Sequence, residues 1–304
     1  MSHTKTKTQK IIFLLIAAII VLSATSIASS ALILAKFQKR VLAQTLPQTQ
    51  ATTSATLSAA TTSTQEPSPY PSASPSPSPV VLSGYCINIP ILMYHHIQPM
   101  SEAGPKGQGG LTVDNGTFDS QMAYIKSKGY NTITMLDVAT ALKNHTGLGK
   151  SIVVTLDDGY KDQFRYAHPI AQKYGIKLNL FISTGLLGDG GDYMNWGDLK
   201  QMVATGDVAY DHTWSHAAVA AAPPDKMSFE ILTAKKQLED NLGGLQNIFA
   251  YPYGNPSDAG ARFLQANGFV AAASTIQGTT QCDSFIMALH RTRVGGLSLS
   301  AYGI

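Results

Sequence analysis

Two short motifs bring together residues that could perform hydrolytic chemistry. Asp157 and Asp158 are adjacent in TLDDG, and His212 and His216 are four residues apart in HTWSH. Neighbouring carboxylates point in different directions, so one can bind a cation while the other accepts a proton. Two histidines at this spacing can reach one ion together. Each motif alone would equally fit an ordinary turn, but together they favour a metal site with two histidines and one aspartate. Such a site lowers the pKa of water and polarises a carbonyl group.

The elements that must position these motifs are strands of a parallel sheet. Short apolar runs alternate with amphipathic stretches, which is typical of helices that connect parallel strands. The predicted strands are 90–95, 151–156, 177–183, 207–211, 247–251 and 269–274. The predicted helices are 117–128, 136–143, 162–174, 196–204, 226–242 and 257–266. Six or seven such units without a GxGxxG motif after the first strand predict an α/β fold, a distorted (β/α) barrel of about seven strands. In a barrel of this kind the site lies at the carboxyl ends of the strands, where both motifs fall.

Composition divides the 304 residues into three zones. Residues 1–40 carry six basic residues and no acidic one, and residues 41–83 carry only Glu66. Residues 84–304 contain all 26 glycines and are slightly acidic. The net charge of +3 therefore comes from the N-terminus, and the sequence predicts no nucleic-acid partner, because that would need a basic face on the domain itself.

The first two zones predict a tether. Residues 11–35 are uncharged and long enough to cross a hydrocarbon core of ~30 Å, so we expect residues 1–40 to be a signal anchor in the cell membrane. The alternative is a cleaved signal peptide and a secreted protein. Residues 41–83, rich in Ser, Thr and Pro, predict a disordered, extended linker. Either way, residues 84–304 form the only candidate globular domain and are expected outside the cytoplasm.

The motifs carry a family resemblance. TLDDG is similar to the TFDDG motif of NodB-type polysaccharide deacetylases (carbohydrate esterase family four), HTWSH resembles their H-[ST]-x-x-H, and PYG resembles the end of their R-x-P-Y-G. The resemblance implies a NodB homology domain in which Asp157 is the catalytic base. It also implies Asp158, His212 and His216 as metal ligands and the Tyr253 backbone N–H as an oxyanion donor.

Three positions depart from the family pattern. Ala250 stands where the third motif has Arg, and the resulting FAYPYG resembles the poly-N-acetylglucosamine deacetylase branch. The sequence does not name the residue that restrains Asp157 instead. Asp211 replaces the usual Ser before the first histidine, an extra charge without an assigned role. The family's last motif, L-x-H, has no clear match near the C-terminus, where Ala288-Leu289-His290 is the nearest.

The first strand offers a better match for that last motif. ILMYHHI ends in His95, with Met93 in place of the motif's Leu. First and last strands are neighbours in a closed barrel, so a circularly permuted order predicts His95 as the general acid. His96 and His290 are the alternatives, together with the interpretation that the histidines merely end a strand.

The remaining candidates concern substrate contact and redox state. Trp214, between the two predicted ligands, is a candidate substrate-binding wall, whereas Trp196 at a helix start fits packing better. Tyr253 is a second candidate for substrate contact. Cys86 and Cys282 are predicted to form a disulfide, because barrel closure brings their regions together and an exported domain permits oxidation; two buried thiols are the alternative.

The sequence therefore predicts a membrane-tethered, metal-dependent hydrolase that releases acetate from the acetamide groups of an N-acetylglucosamine-containing glycan. Zn²⁺ is the expected ion, with Co²⁺, Ni²⁺ or Mn²⁺ as alternatives. We expect a monomer whose partners are the acetylated glycan and the membrane. Two other functions remain open: a catalytically silent glycan-binding module, and an O-acetyl esterase acting on a polysaccharide such as xylan.

Overall fold

The computed structural model describes residues 84–188, 191–244 and 247–304. The predicted membrane anchor and linker, residues 1–83, lie outside the described residues. No helix within the described residues combines the length and apolar character that crossing a membrane requires.

Seven parallel strands close into a barrel. The strands of the described chain are β1 (Cys86–Asn88), β2 (Ile91–Tyr94), β3 (His96–Ile97), β4 (Thr112–Val113), β5 (Asn131–Thr132), β6 (Ser151–Asp158), β7 (Leu178–Ile182), β8 (Val208–Asp211), β9 (Ile248–Ala250), β10 (Ala271–Gln277), β11 (Thr280–Cys282) and β12 (Leu289–Arg293). The barrel order is β2-β12-β10-β9-β8-β7-β6, and β6 pairs back with β2 to close the ring. The short β5 adds to the start of β6. The predicted neighbourhood of the first and last barrel strands is confirmed, because β12 pairs in parallel with β2.

Helices surround the barrel and cap one end. They are α1 (Met100–Ala103), α2 (Asn115–Ser127), α3 (Met135–Asn144), α4 (His168–Tyr174), α5 (Trp196–Ala204), α6 (Pro224–Leu242) and α7 (Asp258–Ala266). Helices α3 and α5 each begin with a capping box, built by Thr134 with Asp137 and by Asn195 with Asp198. These caps satisfy backbone N–H groups that the first helical turn leaves without partners.

The barrel strands alternate between an interior and an outer core. Along β6, Val153 belongs to a cluster that fills the barrel interior and includes residues of α3. Val154 and Leu156 belong to the outer cluster that packs beneath the helices. Asp157 therefore faces the interior at the carboxyl end of a strand whose residues are all buried. This two-sided burial explains why β6 is apolar on both faces.

All six predicted strands are present, but the seventh barrel strand was missed. β12 has the sequence LHRTR. With two arginines and one histidine it lacks the apolar run from which a buried strand is predicted. The predicted helix 162–174 is divided into a π-helical turn, Gln163–Ala167, followed by α4. No element was predicted around Cys282, but β11 lies there and pairs with β1.

The predicted disulfide is confirmed. Cys86 and Cys282 are opposite each other in the β1–β11 pair and are joined by an S–S bond. This bond ties the segment before the first barrel strand to the segment before the last one, across 196 residues of chain.

Candidate active site

Asp157 and Asp158 end β6 at the carboxyl edge of the barrel. Both are buried, with exposed fractions of 2% and 4%. The backbone of Asp158 has φ 77°, in the left-handed region that non-glycine residues rarely adopt. This conformation interrupts the regular alternation of side chains at the last residue of the strand.

Two histidines from the β8 end face Asp158. The Nε2 atoms of His212 and His216 each lie 3.2 Å from Asp158 Oδ1, and the three ligand atoms lie within 4.8 Å of one another. Thr213 and His216 also have positive φ values, of 68° and 58°. The sharp turn that these angles produce brings the second histidine back over the strand end. Backbone strain of this kind concentrates at functional sites.

The chemistry of these donor atoms fits a divalent cation. Nδ1 of His212 lies 2.8 Å from the Ala250 carbonyl oxygen, which can only accept, so Nδ1 carries the proton and Nε2 presents a lone pair. Asp158 Oδ1 is buried and has no hydrogen-bond partner. Lone pairs that converge at this distance without a proton between them repel one another unless a cation lies among them. The cluster therefore has the features of a metal site in which the Ala250 carbonyl oxygen orients one ligand, His212.

Asp157 is held by a residue that the sequence did not reveal. Arg291 of β12 donates from Nη1 and Nη2 to the two oxygens of Asp157, at 2.7 and 2.8 Å. Its Nε donates to the Ser274 carbonyl oxygen, and Nη1 also lies 3.2 Å from the Thr155 hydroxyl. Burial raises the pKa of the Asp157 carboxyl group, but Arg291 and His212 outweigh burial and keep it below the usual value. Asp157 is therefore an oriented, ionised carboxylate.

His95 follows β2 and lies near the two aspartates. It is half-buried, and its electrostatic neighbours are Asp157, Asp158, Arg291 and His212. Burial lowers its pKa, while the two carboxylates act in the opposite direction. The π-helical turn supports this position, because its Gln163 side chain donates to the backbone carbonyls of both His95 and Asp157.

The two alternative histidines have other surroundings. Nδ1 of His96 lies 2.5 Å from Asp162, and its ring stacks on Tyr160 at 3.6 Å. His290 projects from β12 in the opposite direction to Arg291 and stacks on Phe285 at 4.4 Å. Neither ring is among the groups with the largest effects on the pKa of Asp157.

Tyr253 lies on the far side of the histidine pair. Its ring is 4.8 Å from the His216 ring, and 64% of the residue is exposed. It has φ 61° within the turn Pro252–Gly254. Gly254 is required next to it, because φ is 74° there and a Cβ atom would lie 2.0 Å from Thr275. The turn presents Tyr253 at the rim of the site.

Trp214 has an evident packing role. Its ring covers Gly185, where a Cβ atom would come within 2.5 Å of it, and meets the half-exposed Phe229 edge-on at 5.3 Å. Its backbone N–H donates to the Glu230 carbonyl oxygen. The Glu230 carboxylate accepts hydrogen bonds from the Ser215 N–H and hydroxyl at 2.8 and 2.7 Å. Glu230 of α6, which the sequence analysis missed, thus fixes the turn between the two histidines.

The Asp211 side chain lies outside the metal cluster. Its side chain lies on the α6 side of β8, where Oδ1 accepts a hydrogen bond from the Thr213 N–H. Burial raises the pKa of its carboxyl group well above the usual value. Asp211 is therefore not one of the three residues whose ligand atoms converge.

Comparison with known proteins identifies the family to which these motifs relate. Residues 144–272 match the family model described as Polysaccharide deacetylase. The protein YxkH of Bacillus subtilis is 28% identical over 217 residues, which cover 71% of this chain and 75% of that protein. The poly-beta-1,6-N-acetyl-D-glucosamine N-deacetylase of Staphylococcus aureus is 26% identical over 160 residues, covering 48% of this chain and 55% of that enzyme. Among solved structures, the Streptococcus pyogenes deacetylase PplD, in complex with acetate, superposes with a TM-score of 0.64 at 29% identity, over 68% of this chain and 92% of PplD.

Proposed function

We propose that this chain, whose residues 144–272 match the polysaccharide deacetylase family, hydrolyses the acetamide groups of an N-acetylglucosamine-containing glycan. The cluster of Asp158, His212 and His216 beside an ionised, restrained Asp157 is the observation that carries the proposal. The sequence motifs and the similarity to the staphylococcal enzyme support the choice of substrate class.

Each residue of the site is proposed to have one chemical role. Asp158, His212 and His216 hold a divalent ion, for which Zn²⁺ fits the mixed nitrogen and oxygen donors. When bound, such an ion polarises the substrate carbonyl and acidifies water. Asp157 accepts the proton of the attacking water. The Tyr253 backbone N–H donates to the oxyanion that forms.

The leaving nitrogen needs a proton, and His95 is the proposed donor. It lies among the same charged groups as Asp157 but follows a different strand, β2, so acid and base are separate groups. His290, on the outer side of β12, is not proposed for this role.

The glycan-binding alternative loses its main argument. The arginine missing at Ala250 would favour a catalytically silent domain, but Arg291 supplies a bidentate contact to Asp157 from another strand.

We further propose that the domain acts outside the cytoplasm, tethered by residues 1–40. The uncharged segment 11–35 and the disulfide, which is typical of oxidising compartments, support this location.

Acetate release from N-acetylglucosamine oligomers by the full-length protein tests the proposal. We expect release that stops when a chelator removes metal and returns when Zn²⁺ is added. His216→Ala should lose bound metal and turnover together, whereas Asp157→Asn should keep the metal and lose turnover. His290→Ala is the matched control, because it removes a histidine outside the site. Binding of the oligomers without release of acetate would contradict the proposal and favour the binding module.

A further inference from the structure

A small polar cavity adjoins His95 at the carboxyl end of the barrel. Its volume is about 270 Å³. Its walls are His95, the turn at residues 110–112, and the segment from Arg293 to Gly295 that leaves β12. Pockets that bind whole drug-sized ligands typically measure ~300–1,000 Å³, so this cavity fits one substituent or one sugar unit.

The cavity carries an uncompensated positive charge. Arg293 is exposed, and its guanidinium group makes one hydrogen bond, from Nη2 to the Gly110 carbonyl oxygen at 3.3 Å. No carboxylate of the described residues forms an ion pair with Arg293, and no acidic residue lines the cavity. The neighbouring arginine on the same strand, Arg291, is in contrast fully buried and bound to Asp157.

Apart from His95, the other polar side chain in the wall is already engaged. The Thr112 hydroxyl donates to the Gln108 carbonyl oxygen at 3.0 Å. The free hydrogen-bonding capacity of the cavity therefore consists mainly of donors on Arg293, whose planar group suits carboxylate and phosphate oxygens. The cavity is thus chemically complementary to an anion.

The position of the cavity beside His95 indicates that an anionic group in it would belong to the glycan substrate. His95 borders the cavity and is also coupled electrostatically to Asp157 and Asp158. In the proposed mechanism His95 protonates the leaving nitrogen, so the sugar that carries this nitrogen lies next to the cavity. A substituent on that sugar, or on the next one, can enter the cavity while the acetamide group occupies the site.

We propose that this cavity is a specificity subsite for a negatively charged substituent, a carboxylate or a phosphate, on the glycan beside the acetamide group that is hydrolysed. In this proposal the Arg293 guanidinium group binds the charged substituent. The inference rests on the proposed function, since it assigns the substrate class of the same site.

Three forms of one N-acetylglucosamine disaccharide test the subsite with the full-length protein. One form is neutral, one bears a carboxylate on the neighbouring sugar, and one bears a phosphate there. We expect KM for at least one charged form to be about tenfold lower than for the neutral form, equivalent to ~1.4 kcal/mol. Arg293→Ala should remove this difference in KM between the charged and neutral forms. Arg293→Lys should retain more of the preference for phosphate than for carboxylate, because lysine keeps the charge but loses the planar fork. Arg262→Ala, on the exposed face of α7, is the matched control and should change nothing.

Two results would overturn the subsite. One is equal KM values for all three forms with the wild-type protein. The other is an Arg293→Ala variant that impairs the three forms alike, since this would assign the residue a structural role. If no form releases acetate, the proposed function fails, and calorimetric binding of the same three disaccharides then decides on the subsite by the same tenfold criterion.

Discussion

Removing the guanidinium group of Arg291 should harm stability and turnover together. Arg291→Ala leaves the Asp157 carboxylate buried at 2% exposure without its two charge-assisted hydrogen bonds. Two unit charges ~4 Å apart interact by ~4 kcal/mol at an effective dielectric constant of about 20. Breaking a buried ion pair by deleting one partner costs ~3–5 kcal/mol, in agreement with that figure. Since domains of this kind unfold at a cost of ~5–15 kcal/mol, the loss is large enough to measure by denaturant titration.

A second substitution separates the two effects. Asp157→Asn in the Arg291→Ala background removes the stranded charge, so we expect it to recover at least half of the lost free energy of unfolding. Turnover should not recover, because the proposed base is gone. Turnover of Arg291→Ala itself should fall by ~10²–10⁴-fold, the usual contribution of an oriented general base. Arg262→Ala, an exposed arginine on α7, serves as the control for both assays.

Two outcomes would refute this reasoning. An Arg291→Ala protein with wild-type stability would show that the ion pair contributes nothing to folding. A destabilised Arg291→Ala protein with undiminished turnover per folded molecule would show that Asp157 needs no restraint, and the role assigned to Arg291 would be wrong.

Three further predictions concern the acid, the histidine turn and the disulfide. His95→Ala should lower kcat on one soluble substrate by ~10²–10⁴-fold with bound metal unchanged, whereas His290→Ala should have little effect. The reverse pattern would assign the general acid to His290. Glu230→Ala should weaken metal affinity by ~10–100-fold, measured against a competing chelator, because the turn between the ligand histidines loses its anchor; unchanged affinity would show that the turn holds its shape without this carboxylate. Replacing Cys86 and Cys282 by serine should lower the free energy of unfolding by up to ~5 kcal/mol, because the bond closes a loop spanning 196 residues; an unchanged denaturation midpoint would contradict the loop-entropy argument.

The sequence predicted the parts of the fold that depend on hydrophobic patterning. The run SIVVTL indicated β6 because both of its faces are buried, and the two residues after it remained on the strand. Strand β12 was missed for the opposite reason. Its interior position is filled by Arg291, whose charge is balanced only by a carboxylate 134 residues away in sequence. Prediction from local sequence patterns cannot identify a partner that is so distant in sequence.

The geometry of the candidate site was predicted less completely than its composition. The motifs named the residues of the metal cluster, but not the backbone conformations that bring them together. Of the five non-glycine residues with positive φ in the described part of the chain, four belong to the site or its turn: Asp158, Thr213, His216 and Tyr253. Residue type gives little sign of such angles, because none of the four is the glycine that the left-handed region favours. The same limit applies to Glu230, whose contact with Ser215 depends on how α6 packs against the turn.

The position of Arg291 also bears on what the loss of the motif arginine at Ala250 means for activity. Asp157 binds a guanidinium group inside the barrel, where side chains from several strands meet. In this chain Ala250 and Ala273, on β9 and β10, are small members of the interior cluster, while β12 contributes Arg291. The interaction is kept although the strand that supplies it differs from the strand that the family motif implies. The absence of an arginine from the third motif is therefore no sign of lost catalysis, unless the other interior positions also lack a cation that can reach Asp157.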